Sequence, residues 1–520
     1  MKRDFSSLES QKFDLLVCGG GIYGAWTAYD AALRGLNVAV VEQGDWACAT
    51  SSSSSKLIHG GLRYLETYDF KLVRKALAER KILLDMAPHR VWPLRFGVPV
   101  YTNSRIGTLR LKAGLMLYDI LAGLPPAPMR HRHFKKISFS KHFPSLETFH
   151  LDGGFSYGDA QTDDARLVLE LISGAMEAGA VCVNYCQQVD WVETNGHLCG
   201  AKVVDVTTGD NAEIMAKQIV NTTGLWIADT EQGREWCRLS KGIHLVMPPI
   251  LGAEALLLTA QSDGRVFFLI PWYGMTLLGT TDSDYHGDIE HVEVTQEETD
   301  YLLTEVNHYL KSAWTREDVV GSYAGVRVMQ HSDKASPSSV SREWDLKTER
   351  NGMHYSVGGK ITSAREGAET MVDMVCSKLN VGTKHSTFNR PFPWVPREDY
   401  PRWSASMISQ STNLGIDQES GMWLTRRHGT RIHQVLSKIE LDAKLAERIT
   451  PSLPFIYADL LFCASEEMVV HLRDLLRRRI PLLILSRLSK QDLHRIATMV
   501  APLMGWDEQA MQLEVSACLQ

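Results

Sequence analysis

The stretch FDLLVCGGGIYGAWTAYDAALRGLNVAVVE, residues 13–42, constrains the fold more than any other part of the chain. An apolar run, FDLLVC, leads directly into G-x-G-x-x-G, formed by Gly19, Gly21 and Gly24. AWTAYDAALRG then reads as a helix with small residues facing the strand and closes at Gly35; NVAVVE reads as a second strand ending in Glu42. Together these make the βαβ dinucleotide fingerprint in the context it requires. The glycines permit a tight turn and close approach of a pyrophosphate, and the helix N-terminus adds backbone N–H groups and a partial positive charge. Glu42 stands where a carboxylate can accept from a ribose hydroxyl, which argues against the 2′-phosphate of NADP and leaves NAD and FAD open.

Shortly after Glu42 comes TSSSSSKLIHGGLRY, residues 50–64. A serine run is usually a flexible linker. This one follows a strand closely and runs into LIHGGLRYLE, on the side where the rest of a cofactor would extend. Thr50, Ser51, Ser52, Ser55 and Lys56 are therefore candidate contacts to a pyrophosphate or a ring edge, and Gly60 and Gly61 would let the backbone lie against a flat ring.

The 520 residues exceed what one core usually holds, so two or three domains are expected. The net charge of -6 gives no reason to expect nucleic acid. Nine cysteines at irregular spacing, with no C-x2-C, read as reduced thiols in a cytoplasmic protein, with no disulfide framework and no metal site. The N-terminus MKRDFSSLESQKF lacks the apolar region of a secretory signal, and no apolar run reaches the ~18 residues of a membrane span.

Beyond the fingerprint, MAPHRVWPLRF (86–96), DAQTDDARLVLELISGAMEAGA (159–180), VNTTGLWIAD (220–229), LSKGIHLVMP (239–248), FLIPWYGMTLLGTTDSDY (268–285), YAGVR (323–327) and GGKIT (358–362) occur in this order. With GGGIYGAWTAYDAALRGLNVAVVEQGDWACATSSSSSKLIHGGLRYLE, they resemble the FAD-dependent glycerol-3-phosphate dehydrogenases, aerobic and quinone-linked, over nearly the whole chain. The resemblance implies an α/β flavoprotein of the glutathione-reductase and D-amino-acid-oxidase class, built as two α+β domains with a C-terminal helical domain. The FAD-binding domain would comprise 1–85, 150–240 and 335–395, the substrate domain with its antiparallel sheet 86–149 and 241–334, and the helical domain 396–520. It further implies non-covalent FAD, with no bond from His59, and cofactor contacts at Val189, Gly224, Trp226, Gly359 and Lys360 in addition to those above.

Oxidising a secondary alcohol requires a hydride acceptor over the carbinol carbon, a base for the hydroxyl proton and groups that hold the substrate's charge. Positions matching the family's substrate pocket are Arg63, Tyr64, Arg342, Lys360 and Thr362 for binding, with His244 and Arg327 beside the reacting carbon. His244 is the expected proton acceptor, since a neutral imidazole suits that role near pH 7. The expected reaction is hydride transfer from C2 of sn-glycerol 3-phosphate to flavin N5, giving dihydroxyacetone phosphate, with electrons passing to quinone. Alternatives are an oxidase or a paralogue acting on a related phosphorylated alcohol and, from another class, a flavin-binding adaptor without turnover. Ser363 and Ala364 stand where the family has Thr and Tyr, and Val328 where it has Pro; these departures bear on the substrate.

SRIGTLRLKAGLMLYDILAG (104–123) and the basic PPAPMRHRHFKK after it read either as an amphipathic helix of the substrate domain or as a segment lying in a membrane interface; the resemblance favours the second, at the inner-membrane surface. LRDLLRRR (472–479) reads as a solvated helix face or a subunit contact, the latter leaving a homodimer open.

Overall fold

The structure, a computed structural model, describes residues 1–250, 252–331, 343–384 and 386–519; the candidate Arg342 lies outside the described residues. Two sheets organise the chain. In the first, Phe13–Cys18 is central and runs parallel to Val38–Val41 on one side and to Asn211–Asn221 on the other. Val181–Val183 and Met353–Gly358 extend it in parallel, and Trp344–Thr348 closes one edge in the antiparallel sense. VAVV is buried at every position. Parallel strands covered on both faces show this continuous apolar pattern. The cover on one face is three helices in contact, Ile22–Leu33, Asp164–Glu177 and Ala364–Leu379. The small side chains of AWTAYDAAL allow that close approach.

The second sheet is built mainly of antiparallel pairs and includes Cys237–Met247, Ala255–Thr259, Val266–Trp272, Met275–Gly279 and Gly321–Gln330. Leu151–Thr162, grouped by the sequence reading with the FAD-binding domain, instead pairs along its length with Val91–Tyr101 in this sheet. The two strands have 12 and 11 residues, so each satisfies the other's backbone, and Leu57–Ile58 adds to the same strand.

From Tyr400 onward the described chain is mainly helical, with side-chain caps from Asp399, Asp417, Ser489 and Asp507 at four helix starts. Its apolar faces merge with those of the second sheet in one core. LRDLLRRR departs from expectation. A short helical turn, Leu472–Asp474, widens into a π-turn over Leu475–Arg479, and Arg478 and Arg479 are buried. They are neither a solvated face nor a surface for a second copy, because carboxylates within this chain hold them. No helix among the described residues is long and apolar enough to cross a membrane.

Candidate active site

A cavity of about 510 Å³ opens where the ends of the parallel strands meet the second sheet. Gly19 and Gly21 line it. A Cβ on Gly19, whose φ is +104°, would lie 2.8 Å from the Thr222 carbonyl, and one on Gly24 would lie 1.9 Å from the Gly19 carbonyl oxygen. Only glycine lets the turn, the first helix and the neighbouring strand come this close. Glu42 is buried and accepts from the Gly20 N–H at 2.6 Å and the Gly44 N–H at 2.9 Å. Burial pushes its carboxyl above the usual range, opposed by those two N–H groups.

The serine segment divides in two. Thr50, Ser51 and Ser55 line the cavity. Ser51 Oγ accepts from the Ile22 N–H at 2.9 Å, and Thr50 Oγ1 donates to the Val326 carbonyl at 2.6 Å. Ser52 and Lys56 point into the protein, and neither lines the cavity. Lys56 Nζ sits 2.6 Å from Asp164 Oδ1 and donates to the Ser52 carbonyl at 2.8 Å, beneath the rings of Trp272 and Tyr323. Its role is to fix the loop, not to touch a cofactor. Gly60 is needed for packing, since a Cβ there would lie 2.4 Å from Leu77 and 2.5 Å from the Tyr118 hydroxyl; Gly61 turns the chain with φ +76°.

Gly224 (φ +62°) and Trp226 line the cavity from the second glycine turn; Gly359 (φ +97°), Lys360 and Thr362 line it from the third. Val189 does not line it. It is 53% exposed at a break in strand register, and its neighbours Gln188 and Trp191 face the cavity instead. Three glycine turns far apart in sequence, a helix N-terminus and a row of hydroxyls fit an extended pyrophosphate-linked cofactor.

A smaller cavity, about 120 Å³, shares Ser55, His59, Tyr64 and Arg327 with the first and is bordered also by Arg63 and Arg265. Arg327 Nη2 donates to Thr280 Oγ1 at 2.8 Å, and its Nη1 lies 3.4 Å from Asp282. Lys360 Nζ stands 3.9 Å over the ring of Tyr64. His244, expected beside the reacting carbon, lines neither cavity. Its ring stacks on Tyr323, Nε2 lies 2.9 Å from Ser55 Oγ, and Nδ1 has no hydrogen-bond partner among the described residues. Burial, then the charges of Arg327 and Lys56, hold its pKa well below the usual histidine value. The strand register explains the placement, since His244 pairs with Gly279 and Tyr323 inside the sheet.

A family model described as FAD-dependent oxidoreductase matches residues 14–365, and one described as the C-terminal domain of alpha-glycerophosphate oxidase matches 398–511. A glycerol-3-phosphate dehydrogenase from Synechocystis is 36% identical over 92% of this chain and 90% of the relative. This chain belongs to the FAD-dependent glycerol-3-phosphate dehydrogenase family. Glycerol-3-phosphate dehydrogenase 2 of Mycobacterium tuberculosis is 33% identical over 98% of this chain and 88% of its own. Among solved structures, the glycerol-3-phosphate dehydrogenase of Bacillus halodurans complexed with FAD superposes with a TM-score of 0.79 at 28% identity, covering 98% and 94% of the two chains. The cofactor of the family is therefore FAD, and the fold is that of the FAD-dependent oxidoreductases with a C-terminal helical domain.

The family's departures take definite places. Ala364 opens a helix, is fully buried in the core of the FAD sheet and lines neither cavity. Val328 lines the larger cavity. Sequence reasoning passed over Tyr23, Arg265 and His59 as site residues. Tyr23 lies at an unconstrained position of the fingerprint, and its hydroxyl accepts from the Lys360 N–H at 3.3 Å. Arg265 immediately precedes the apolar strand VFFLIPW, and a charge at such an edge was the available signal.

Proposed function

We propose that this chain oxidises sn-glycerol 3-phosphate to dihydroxyacetone phosphate and that its electrons go on to quinone at the cytoplasmic face of a membrane. The observation that carries the substrate is the small cavity: three guanidinium groups, Arg63, Arg265 and Arg327, outnumber the two carboxylates, Asp159 and Asp282, around a space that adjoins the cofactor cavity. A phosphate dianion is the charge complement of that set, and guanidinium forks suit its oxygens. The likeness to the named dehydrogenases points the same way.

Gly19, Gly21, Thr50, Ser51, Gly224 and Gly359 would hold FAD without a covalent bond, and bound FAD supplies the acceptor for the C2 hydride. Arg63, Arg265 and Arg327 bind the phosphate, while Lys360 and Thr362 orient the polyol end. His59 lines both cavities, so it takes the hydroxyl proton as the carbonyl forms. His244 acts one residue further back, orienting Ser55 through their 2.9 Å contact.

The membrane reading rests on a third cavity of about 1010 Å³, which shares Arg63 with the substrate cavity and is bordered by Phe70, Leu111 and Leu117. Beside it, helix Thr108–Leu121 leaves Leu109, Met116 and Ile120 exposed, with Arg110 and Lys112 also at the surface. An apolar groove next to exposed apolar and basic side chains suits a quinone drawn from a bilayer.

Anaerobic mixing of the flavin-loaded protein with sn-glycerol 3-phosphate should bleach the visible flavin band rapidly. Persistence of the band while dithionite still bleaches it would refute the substrate and leave the flavin site standing. Peroxide production during aerobic turnover would replace quinone by oxygen as acceptor.

A further inference from the structure

We propose that the C-terminal helical domain holds the FAD site in its binding geometry through a clamp of Arg478 and Arg479 on Asp45. Asp45 lies in the loop that follows Glu42 and is 1% exposed. Its Oδ2 receives Arg478 Nε at 2.5 Å and Arg479 Nη1, and its Oδ1 accepts from Asn184 Nδ2 at 3.3 Å. Both arginines are fixed in turn. Arg479 Nη2 donates to the Glu467 carbonyl at 2.7 Å, and Arg478 Nη2 donates at 2.5 Å to Asp474 Oδ1, which also accepts from the Tyr185 hydroxyl at 2.7 Å. The π-turn over Leu475–Arg479 brings these consecutive side chains onto one carboxylate.

From Asp45 the contact passes directly to the cofactor turn. Trp46 is fully buried and its Nε1 lies 3.3 Å from Met468 Sδ, another residue of the C-terminal domain. The Trp46 ring occupies the space beside Gly20, where a Cβ would lie 2.4 Å from it. Gly20 sits between the two glycines of the fingerprint that line the cavity, and its N–H is the one that Glu42 accepts. Ala47 donates to the Gly20 carbonyl at 3.1 Å and holds φ +61°, and both Ala47 and Cys48 line the FAD cavity. A non-glycine residue keeps that left-handed conformation only where its surroundings impose it. Here Ala47 is held by its bond to Gly20 and by the two residues before it, Asp45 and Trp46, which Arg478, Arg479 and Met468 of the C-terminal domain fix in place. Asp45, Arg478 and Arg479 are therefore positioning residues for FAD, and the inference holds whichever alcohol is oxidised.

The test is FAD affinity, measured by flavin fluorescence on titrating apoprotein, together with the melting temperatures of apo and FAD-loaded protein. The double variant Asp45→Asn, Arg479→Met removes the ion pairs of the clamp while leaving Arg478 paired with Asp474. It should raise the FAD dissociation constant by at least about tenfold and narrow the gap between apo and loaded melting temperatures, because ligand stabilisation follows affinity. Arg448→Met, which breaks an ion pair with Asp417 elsewhere in the C-terminal domain, should leave the dissociation constant unchanged. If the double variant lowers both melting temperatures together at unchanged affinity, the contact merely joins domains and the inference is overturned. An equal loss of affinity in Arg448→Met would overturn it as well. Should the double variant not fold, Arg478→Lys takes its place, with a smaller rise expected; unchanged affinity there also overturns it.

Discussion

Arg327 shows how one residue's role is set by its neighbours. Its guanidinium is tethered by Thr280 and Asp282 and leaves a face toward the small cavity. A Cβ on Gly242 would lie 2.2 Å from Arg327 Nη2, so that glycine provides the guanidinium's space. Arg327→Ala should cost on the order of 3 kcal/mol of transition-state binding, a fall of about a hundredfold in kcat/KM for the phosphate substrate. Arg327→Lys should recover only part, because the fork is lost. A fall of less than about threefold in steady-state kcat/KM for Arg327→Ala would remove the residue from the site. Ala364 gives a second prediction. Restoring the family's tyrosine puts a large ring into a fully buried core position, so Ala364→Tyr should lower stability by about 1–3 kcal/mol in urea unfolding. Substrate preference should not change, and a changed preference would show that this position reaches the pocket. At this scale the fingerprint glycines were legible because the spacing of Gly19, Gly21 and Gly24 is itself the signal. The inward turn of Lys56 and His244 was not, because nothing local separates a buried lysine from a ligand-binding one.

Among the elements, helix Thr108–Leu121 carries its own test. Leu109 is 85% exposed and Ile120 60%, while Leu115 and Tyr118 are buried beneath them. A helix with apolar side chains on both faces has a second apolar environment to satisfy. Burying a large apolar side chain is worth about 1.5–3 kcal/mol, so the triple variant Leu109→Ser, Met116→Ser, Ile120→Ser should weaken binding to anionic vesicles by well over about tenfold. Flotation with vesicles at low salt reads this, and unchanged flotation would assign the exposed side chains to something other than lipid. The amphipathic composition of this helix was visible in the sequence. The fate of LRDLLRRR was not, since its arginines are buried only because Asp45, distant in sequence, meets them. Charge density alone describes a solvated face, and only the tertiary contact distinguishes a clamp from one.

For the whole molecule, the parallel sheet was readable because its strands are local apolar runs, whereas the junctions between domains are made of polar groups whose partners are remote. Arg166 pairs with Glu467, and Arg90 and His89 pair with Glu170, all of them buried. His428, Asp459 and Cys463 bring possible ligand atoms within 4.8 Å of one another, but Arg427 Nη1 stands 2.5 Å from Asp459 and puts a cation where a metal would compete. This architecture sets the acid stability. Burial pushes His354 and His428 down to about 4 and lowers His89 and His244 as well. A histidine whose folded pKa is depressed stays neutral in the native state while the unfolded chain takes up a proton near pH 6.5. Its contribution is complete above that pH and is lost as pH falls toward the folded value. His471, raised by its hydrogen bond to Glu514, has the opposite sign: its contribution is present below its unfolded pKa and lost as pH rises. At pH 5 His471 is charged in both states and drops out, so the four depressed histidines predict that unfolding takes up protons and that stability drops from pH 6.5 to 4. Urea unfolding at pH 7, 6 and 5 measures the slope, and His354→Gln should reduce it by about one proton. A stability that is flat between pH 7 and 5 would mean that these histidines are protonated, or reached by water, in the native state.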